Sequence, residues 1–151
     1  MKRLLPLMCG LMGLFLMAAC SSKDTSGLTG LNVTLTGIER SADGSTQVRW
    51  QITNPNVVAY LVQGSSHKVW LDGSYVGTAS LREPAGVARQ SSHAQSAVLR
   101  MERGGESALM AALGRGSASY RVESTLTITT YGDYREEFRT TATGTVPLTG
   151  K

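Results

Sequence analysis

From Leu31 onward, apolar residues recur at every second position, and nothing else in the chain restricts its fold as much. Leu31, Val33 and Leu35 alternate with Asn32, Thr34 and Thr36; Val48, Trp50 and Ile52 alternate with Gln47, Arg49, Gln51 and Thr53. Successive side chains of an extended strand point to opposite faces. Each set therefore predicts a strand with one face in a core and the other in water. Val57 to Val62 is apolar and β-branched enough for a buried strand, and it breaks at Gly64-Ser65-Ser66. Asp72-Gly73, flanked by Lys68–Leu71 and Ser74–Leu81, is the strongest short hairpin signal. A two-residue turn there opposes Leu71 to Ser74, Trp70 to Tyr75 and Val69 to Val76. Both faces of that hairpin carry apolar groups, so the Trp70–Tyr75 pair is either core or an exposed contact patch, core being the simpler assignment.

Parity sets the last hairpin. Val122, Leu126 and Ile128 share one face, as do Phe138, Ala142 and Val146. An odd loop such as Gly132-Asp133-Tyr134 opposes Ile128 to Phe138 and Leu126 to Thr140. It also sets Thr127 against Arg139 and Thr129 against Glu137 outside. A two-residue turn would put Ile128 against Glu137, which a buried face disfavours. One segment does not alternate: Glu106 to Gly114 places Leu109, Met110 and Leu113 on one helical face, with Gly114 as its terminator. So short a helix must dock on the sheet to be stable. These elements predict an all-β sandwich, immunoglobulin- or fibronectin-III-like, of about seven antiparallel strands with one short helix, over residues 31–148.

Residues 1–19 read as an export leader. Lys2 and Arg3 precede an apolar run, Leu4 to Met17, of 14 residues, too short for the roughly 20 that a spanning helix needs. Leu16-Met17-Ala18-Ala19-Cys20 resembles a bacterial lipobox, with Met17 where leucine is usual; an ordinary secretory cut is the alternative. Cys9 is lost with the leader, which leaves Cys20 as the single thiol and the expected lipid-attachment site. The two or three acyl chains of such a modification meet the need for at least two membrane signals. Ser21-Ser22 lacks the aspartate that retains such proteins in the inner membrane, so the expected address is the periplasmic face of the outer membrane. Residues 20–30 have the composition of a flexible tether, and ten such residues span about 16–19 Å. Removing 19 of the 151 residues takes the basic count from 15 to 13 against 11 acidic, so the net charge falls from +4 to +2. That surplus is no nucleic-acid footprint.

Ile52-Thr53-Asn54-Pro55-Asn56 has a physical reading by itself. Pro55 cannot donate to a ladder and pushes Asn54 out of helical geometry, while Asn54 and Asn56 can cap the freed backbone groups. The segment is most economically a strand terminator and crossover, with a ligand-binding role the alternative. It also resembles a motif of the type-2 late-embryogenesis-abundant family, or WHy (water stress and hypersensitive response) domain. There an apolar strand ends in Thr-Asn-Pro-Asn and a hairpin of the form apolar-x-Gly-x-x-apolar-Gly follows. Leu71 to Gly77, with Gly73 and Gly77 at the glycine positions, fits that hairpin. Pro84-Ala85-Gly86, the strand Ala94 to Met101, Phe138 and Gly144 to Leu148 continue the likeness over Leu31–Leu148, while Glu123-Ser124 departs from it. The resemblance implies a non-catalytic role in stress protection, exerted through weak contacts with partly unfolded clients or membrane surfaces.

Chemistry-bearing patterns are few. His67 and His93 lie in polar, Ser-rich contexts read as solvated loops, and no carboxylates stand at metal-ligand spacing beside them. No Gly-x-Ser-x-Gly elbow is present, and Glu136-Glu137 in a strand point to opposite faces. Neither enzyme activity, a metal nor a cofactor is expected. The leading expectation is a lipid-anchored envelope protein of the WHy type that protects proteins or membranes under desiccation, osmotic or thermal stress. The alternative is an adaptor lipoprotein that docks one envelope protein by a sheet face or edge; a contiguous patch at Trp70 and Tyr75 would favour it. A third reading is a hydrolase in loops around His67 and His93.

Overall fold

The computed structural model describes residues 30–129 and 134–150. The leader, Cys20, the tether through residue 29 and the Gly132-Asp133 tip lie outside them. The alternating segments form β1 (Asn32–Arg40), β2 (Thr46–Asn54), β3 (Tyr60–Leu71), β4 (Ser74–Leu81), β5 (Ala85–Val87) and β6 (Ser91–Met101). Helix α1 (Gly105–Arg115) follows, then β7 (Ser117–Thr129) and β8 (Arg135–Gly150).

The fold is all-β with one helix, but the strands do not part into two sheets. The order β4-β6-β2-β1-β8-β7-β3 returns to β4 through the β3–β4 pairing, so seven strands close into a barrel, and β5 adds to β3. Where a sandwich would be open, β4 pairs β6 from Gly77–Met101 to Ala79–Leu99, and β1 pairs β8 in parallel from Ile38–Leu148 to Arg40–Gly150. Closure at these short seams removes most of the unpaired margin that separate sheets leave. The inward face carries Val33, Leu35, Ile38, Val48, Trp50, Ile52, Val122, Leu126, Ile128 and Val146, all buried.

α1 plugs one end of the barrel. Leu109 and Ala112 are its buried stripe, whereas Met110 is half exposed, contrary to the face read from the sequence. The helix also runs past Gly114 and ends at Gly116, whose φ of +74° and N–H bond to the Leu113 carbonyl make it the terminator. The Asp72-Gly73 turn and the 41–45 loop share this end. Loops 55–59 and 88–90, with the end of β7 at Thr129 and the start of β8 at Arg135, form the other.

Three β-bulges separate the observed registers from simple alternation. β3 runs unbroken through Gly64-Ser65-Ser66, with a bulge between Val62 and Gly64. The extra residue flips parity: Tyr60 and Val62 face inward before it, and Ser65, His67, Val69 and Leu71 after it. His67 is therefore a buried strand residue and not a solvated loop. Another bulge shifts β1 between Leu35 and Gly37. At Asp72-Gly73 the pairs Leu71–Ser74 and Trp70–Tyr75 form as expected, but a bulge at Val76 then sets Val69 against Gly77.

The β7–β8 loop is odd, yet the register lies two residues from the expected one, with Leu126 opposite Phe138 and Ile128 opposite Glu136. A two-residue slip keeps every side chain on its face, so burial alone does not choose between these registers. The observed one lays the Tyr120 ring over Gly144, where a Cβ would come within 3.0 Å of it.

Candidate functional site

β6 pairs β2 from Ser91–Asn54 to Val98–Gln47 along one edge, but its other edge meets β4 only beyond Leu99. Arg82-Glu83-Pro84 interrupts the opposite wall between β4 and β5, because Pro84 cannot donate to a ladder. The strands diverge there and open a cleft of about 620 Å³. Leu81, Pro84, Ala85 and Gly86 line one side, His93 and Gln95 the other, and Trp50 lies at its base. Among the described residues, no strand pairs this edge of β6 from Ser91 to Val98.

A polar thread runs from the cleft into the core. Trp50 Nε1 donates to Gln95 Oε1 at 3.3 Å, and its ring lies 4.2 Å from that of His67. His67 Nδ1 shares a 2.8 Å hydrogen bond with Ser124 Oγ, while Nε2 is buried with no hydrogen-bond partner. Burial pushes His67 down from its ordinary 6.5 to about 4, so the ring is neutral at pH 7. Both His67 and Ser124 are sealed from solvent. His93 lies in β6, half-buried, and not in a loop. Among the described residues, no group of three or more His, Cys, Asp or Glu side chains converges.

The residues singled out in the sequence fall into three places. Asn54, fully buried at the end of β2, holds the crossover together. Its Oδ1 accepts the Asn56 backbone N–H at 3.0 Å and Asn56 Nδ2 at 3.1 Å. Its Nδ2 donates to the carbonyls of Val58 (2.8 Å) and Ala88 (3.0 Å), so it ties loop 55–59 to loop 88–90. Pro55 is exposed on this loop. At the opposite end, Asp72 (φ +46°) and Gly73 (φ +83°) supply the two positive φ angles of a type I′ turn. Asp72 accepts from Ser119 Oγ at 2.8 Å and Ser119 N at 3.0 Å and pairs with Arg115, which together hold its carboxyl below the usual range. Gly77 is required by close approach, since a Cβ there would lie 2.2 Å from the Arg100 carbonyl oxygen.

Trp70 and Tyr75 are not core. They stand half-buried on the outer face with ring centroids 5.0 Å apart, and the Arg121 guanidinium lies 4.1 Å over the Trp70 ring. Tyr75 Oη bonds Thr78 Oγ1 at 2.8 Å. A cation that is itself 3.5 Å from Glu123 thus covers the aromatic pair, which is no contiguous apolar patch. Neither the cleft, the free β6 edge nor the position of Arg121 over Trp70 follows from the alternation of the sequence. Pro84 between two strand segments, followed by the small polar run Ser91 to Ser96, was the available signal.

No protein-family model and no curated protein matches the chain. Among solved structures, it is similar to AT1g01470 from Arabidopsis thaliana, with 15% identity, a TM-score of 0.52, and coverage of 80% of this chain and 79% of that one. It is also similar to At2g46140.1, named as a late embryogenesis abundant (LEA) protein, with 8% identity, a TM-score of 0.50, and coverage of 84% and 76%. The chain therefore shares its fold with LEA-like proteins.

Proposed function

We propose that this chain is a lipid-anchored, non-catalytic envelope protein of the LEA type 2/WHy kind. Acyl chains on Cys20 hold it at the periplasmic face of the outer membrane, where it protects proteins or membranes under desiccation, osmotic or thermal stress. The observation that carries this reading is the unpaired β6 edge beside the cleft. Partly unfolded clients expose extended segments, and a free edge accepts them by backbone hydrogen bonds with little regard to sequence. Ser92, Ala94 and Ser96 project outward from that edge, small enough to leave it open. The shared fold with LEA-like proteins supports the same reading. So does the absence of solvent at the Ser124–His67 pair, which leaves it no substrate to act on. The immunoglobulin or fibronectin-III description belongs to this proposal too, supported by the brevity of the β4–β6 and β1–β8 seams.

The test is to dry a labile enzyme with the chain from Cys20 onward and measure activity recovered on rehydration, with equal masses of albumin as control. Recovery clearly above albumin is expected. Replacing Ala94 and Ser96 by lysine, the way natural edges are blunted, is expected to lower it toward the albumin value. Recovery equal to albumin for the unaltered chain would sink the protective reading and favour the adaptor.

A further inference from the structure

We infer that the end of the barrel opposite α1 is a lipid-docking tip that seats the domain on the bilayer holding its own anchor; the inference rests on the Cys20 reading above. Among the described residues six large hydrophobic side chains are exposed, and four lie at this end: Val57 (73%), Val58 (42%), Leu61 (40%) and Tyr134 (72%). Val57 and Val58 occupy the β2–β3 loop. Leu61 stands opposite Thr129 at the end of β7, and Tyr134 immediately precedes β8. The other two, Val98 and Met110, stand apart on β6 and α1. Elsewhere the outer strand faces are largely polar or charged, as at Thr34, Arg49, Lys68, Ser92 and Thr141, so apolar groups gathered on loop tips mark a surface that meets something apolar.

Chain direction names the occupant. The polypeptide comes in at the same end: Gly30 lies against Pro55 and Asn56, and Asn32 opposes Thr53. Ten residues of tether composition reach about 16–19 Å from Cys20. The α1 end lies farther by the length of β2, nine residues, or about 30 Å at the strand rise. An anchor at Cys20 thus brings the apolar tip, and not the helix, to the membrane. Arg89 in the 88–90 loop and Arg135 at the start of β8 flank the tip and suit anionic head groups. Seated this way, the barrel stands on end and its open β6 edge faces sideways into the aqueous space, free to meet clients.

The test uses the chain from Cys20 onward, which contains the whole barrel. It is coupled through its single thiol to maleimide lipid in vesicles of phosphatidylethanolamine and phosphatidylglycerol. The geometry is then probed whether or not cells acylate Cys20. Val58→Trp reports the tip and Ala42→Trp the opposite loop, with emission compared in vesicles with and without brominated acyl chains. A tip seated about 5–10 Å into the interface is expected to lose roughly half of the added emission, while the Ala42→Trp signal is unchanged. Adding Val57→Ser and Tyr134→Ser is expected to abolish the quenching without altering the melting curve. No quenching of Val58→Trp, or equal quenching of both probes, overturns the tip. So does a lipid-free dimer that the serine changes dissolve, because the tip would then face a second copy. The mass of Cys20 from cells is read separately. An unmodified cysteine overturns the anchor and docking in the cell, and the quenching record tells that failure from a failed tip.

Discussion

At the scale of single residues, buried His67 makes stability depend on pH. Its unfolded value is near the ordinary 6.5 and burial lowers the folded one to about 4. Between those limits the unfolded chain takes up a proton that the folded chain refuses. Stability is therefore complete above pH 6.5 and declines as pH falls toward 4, by on the order of 3 kcal/mol. The exposed carboxyls Asp43 and Asp72 titrate below their usual 3.8, outside that window. Urea midpoints of the unaltered chain are expected to drop between pH 7 and 4.5. His67→Gln, less stable at pH 7, is expected to be nearly flat over the same range. An equal drop in both proteins would assign the effect to another group. The buried role of His67 was hidden in the sequence because GSSH has the composition of a loop; only the inserted residue at the β3 bulge turns it inward. Asn54 was more legible. Proline beside it removes a donor, and the asparagine's short amide is the right length to satisfy what remains.

Among the elements, α1 separates propensity from packing. Gly105 and Gly114 are both helical, and glycine costs a helix about 1 kcal/mol relative to alanine. Nothing stands within 4 Å of a Cβ at Gly114, but one at Gly105 would lie 2.3 Å from the Val76 carbonyl oxygen. Gly114→Ala is expected to raise the melting temperature by about 3–6 °C. Gly105→Ala is expected to lower it, because a backbone clash of about 1–3 kcal/mol outweighs the helical gain. A rise in both would mean that α1 shifts freely against β4. Strand faces were legible in β1, β2 and β7, since period two is a direct trace of burial, but not in the Val57–Val62 segment, whose Val57 and Val58 lie exposed in a loop. Bulges and two-residue slips were not, because neither leaves an apolar residue on the wrong face of the segment that the eye compares. The cleft was equally hidden: it arises where two strands diverge, and divergence is a relation between segments and not a property of either.

On the scale of the whole molecule, closure depends on the two chain ends. β1 and β8, first and last in sequence, are neighbours, and Leu148 closes the seam both through Ile38 and by its N–H bond of 2.9 Å to the Gly116 carbonyl. Deleting residues 145–151 removes buried Val146 and Leu148 together. The deletion is expected to abolish cooperative melting, with near-ultraviolet circular dichroism lost; a sharp transition in the shortened chain would show that the ring holds without its last strand. The pairing of distant segments also makes this a barrel of non-local contacts, which folds slowly compared with helical bundles. If the chain is exported as proposed above, that slowness has a use in transit. A polypeptide that passes through a narrow channel with its N-terminus leading cannot complete the ring while Leu148 is still on the near side. Until that residue emerges the strands have no final partner, and the chain stays threadable.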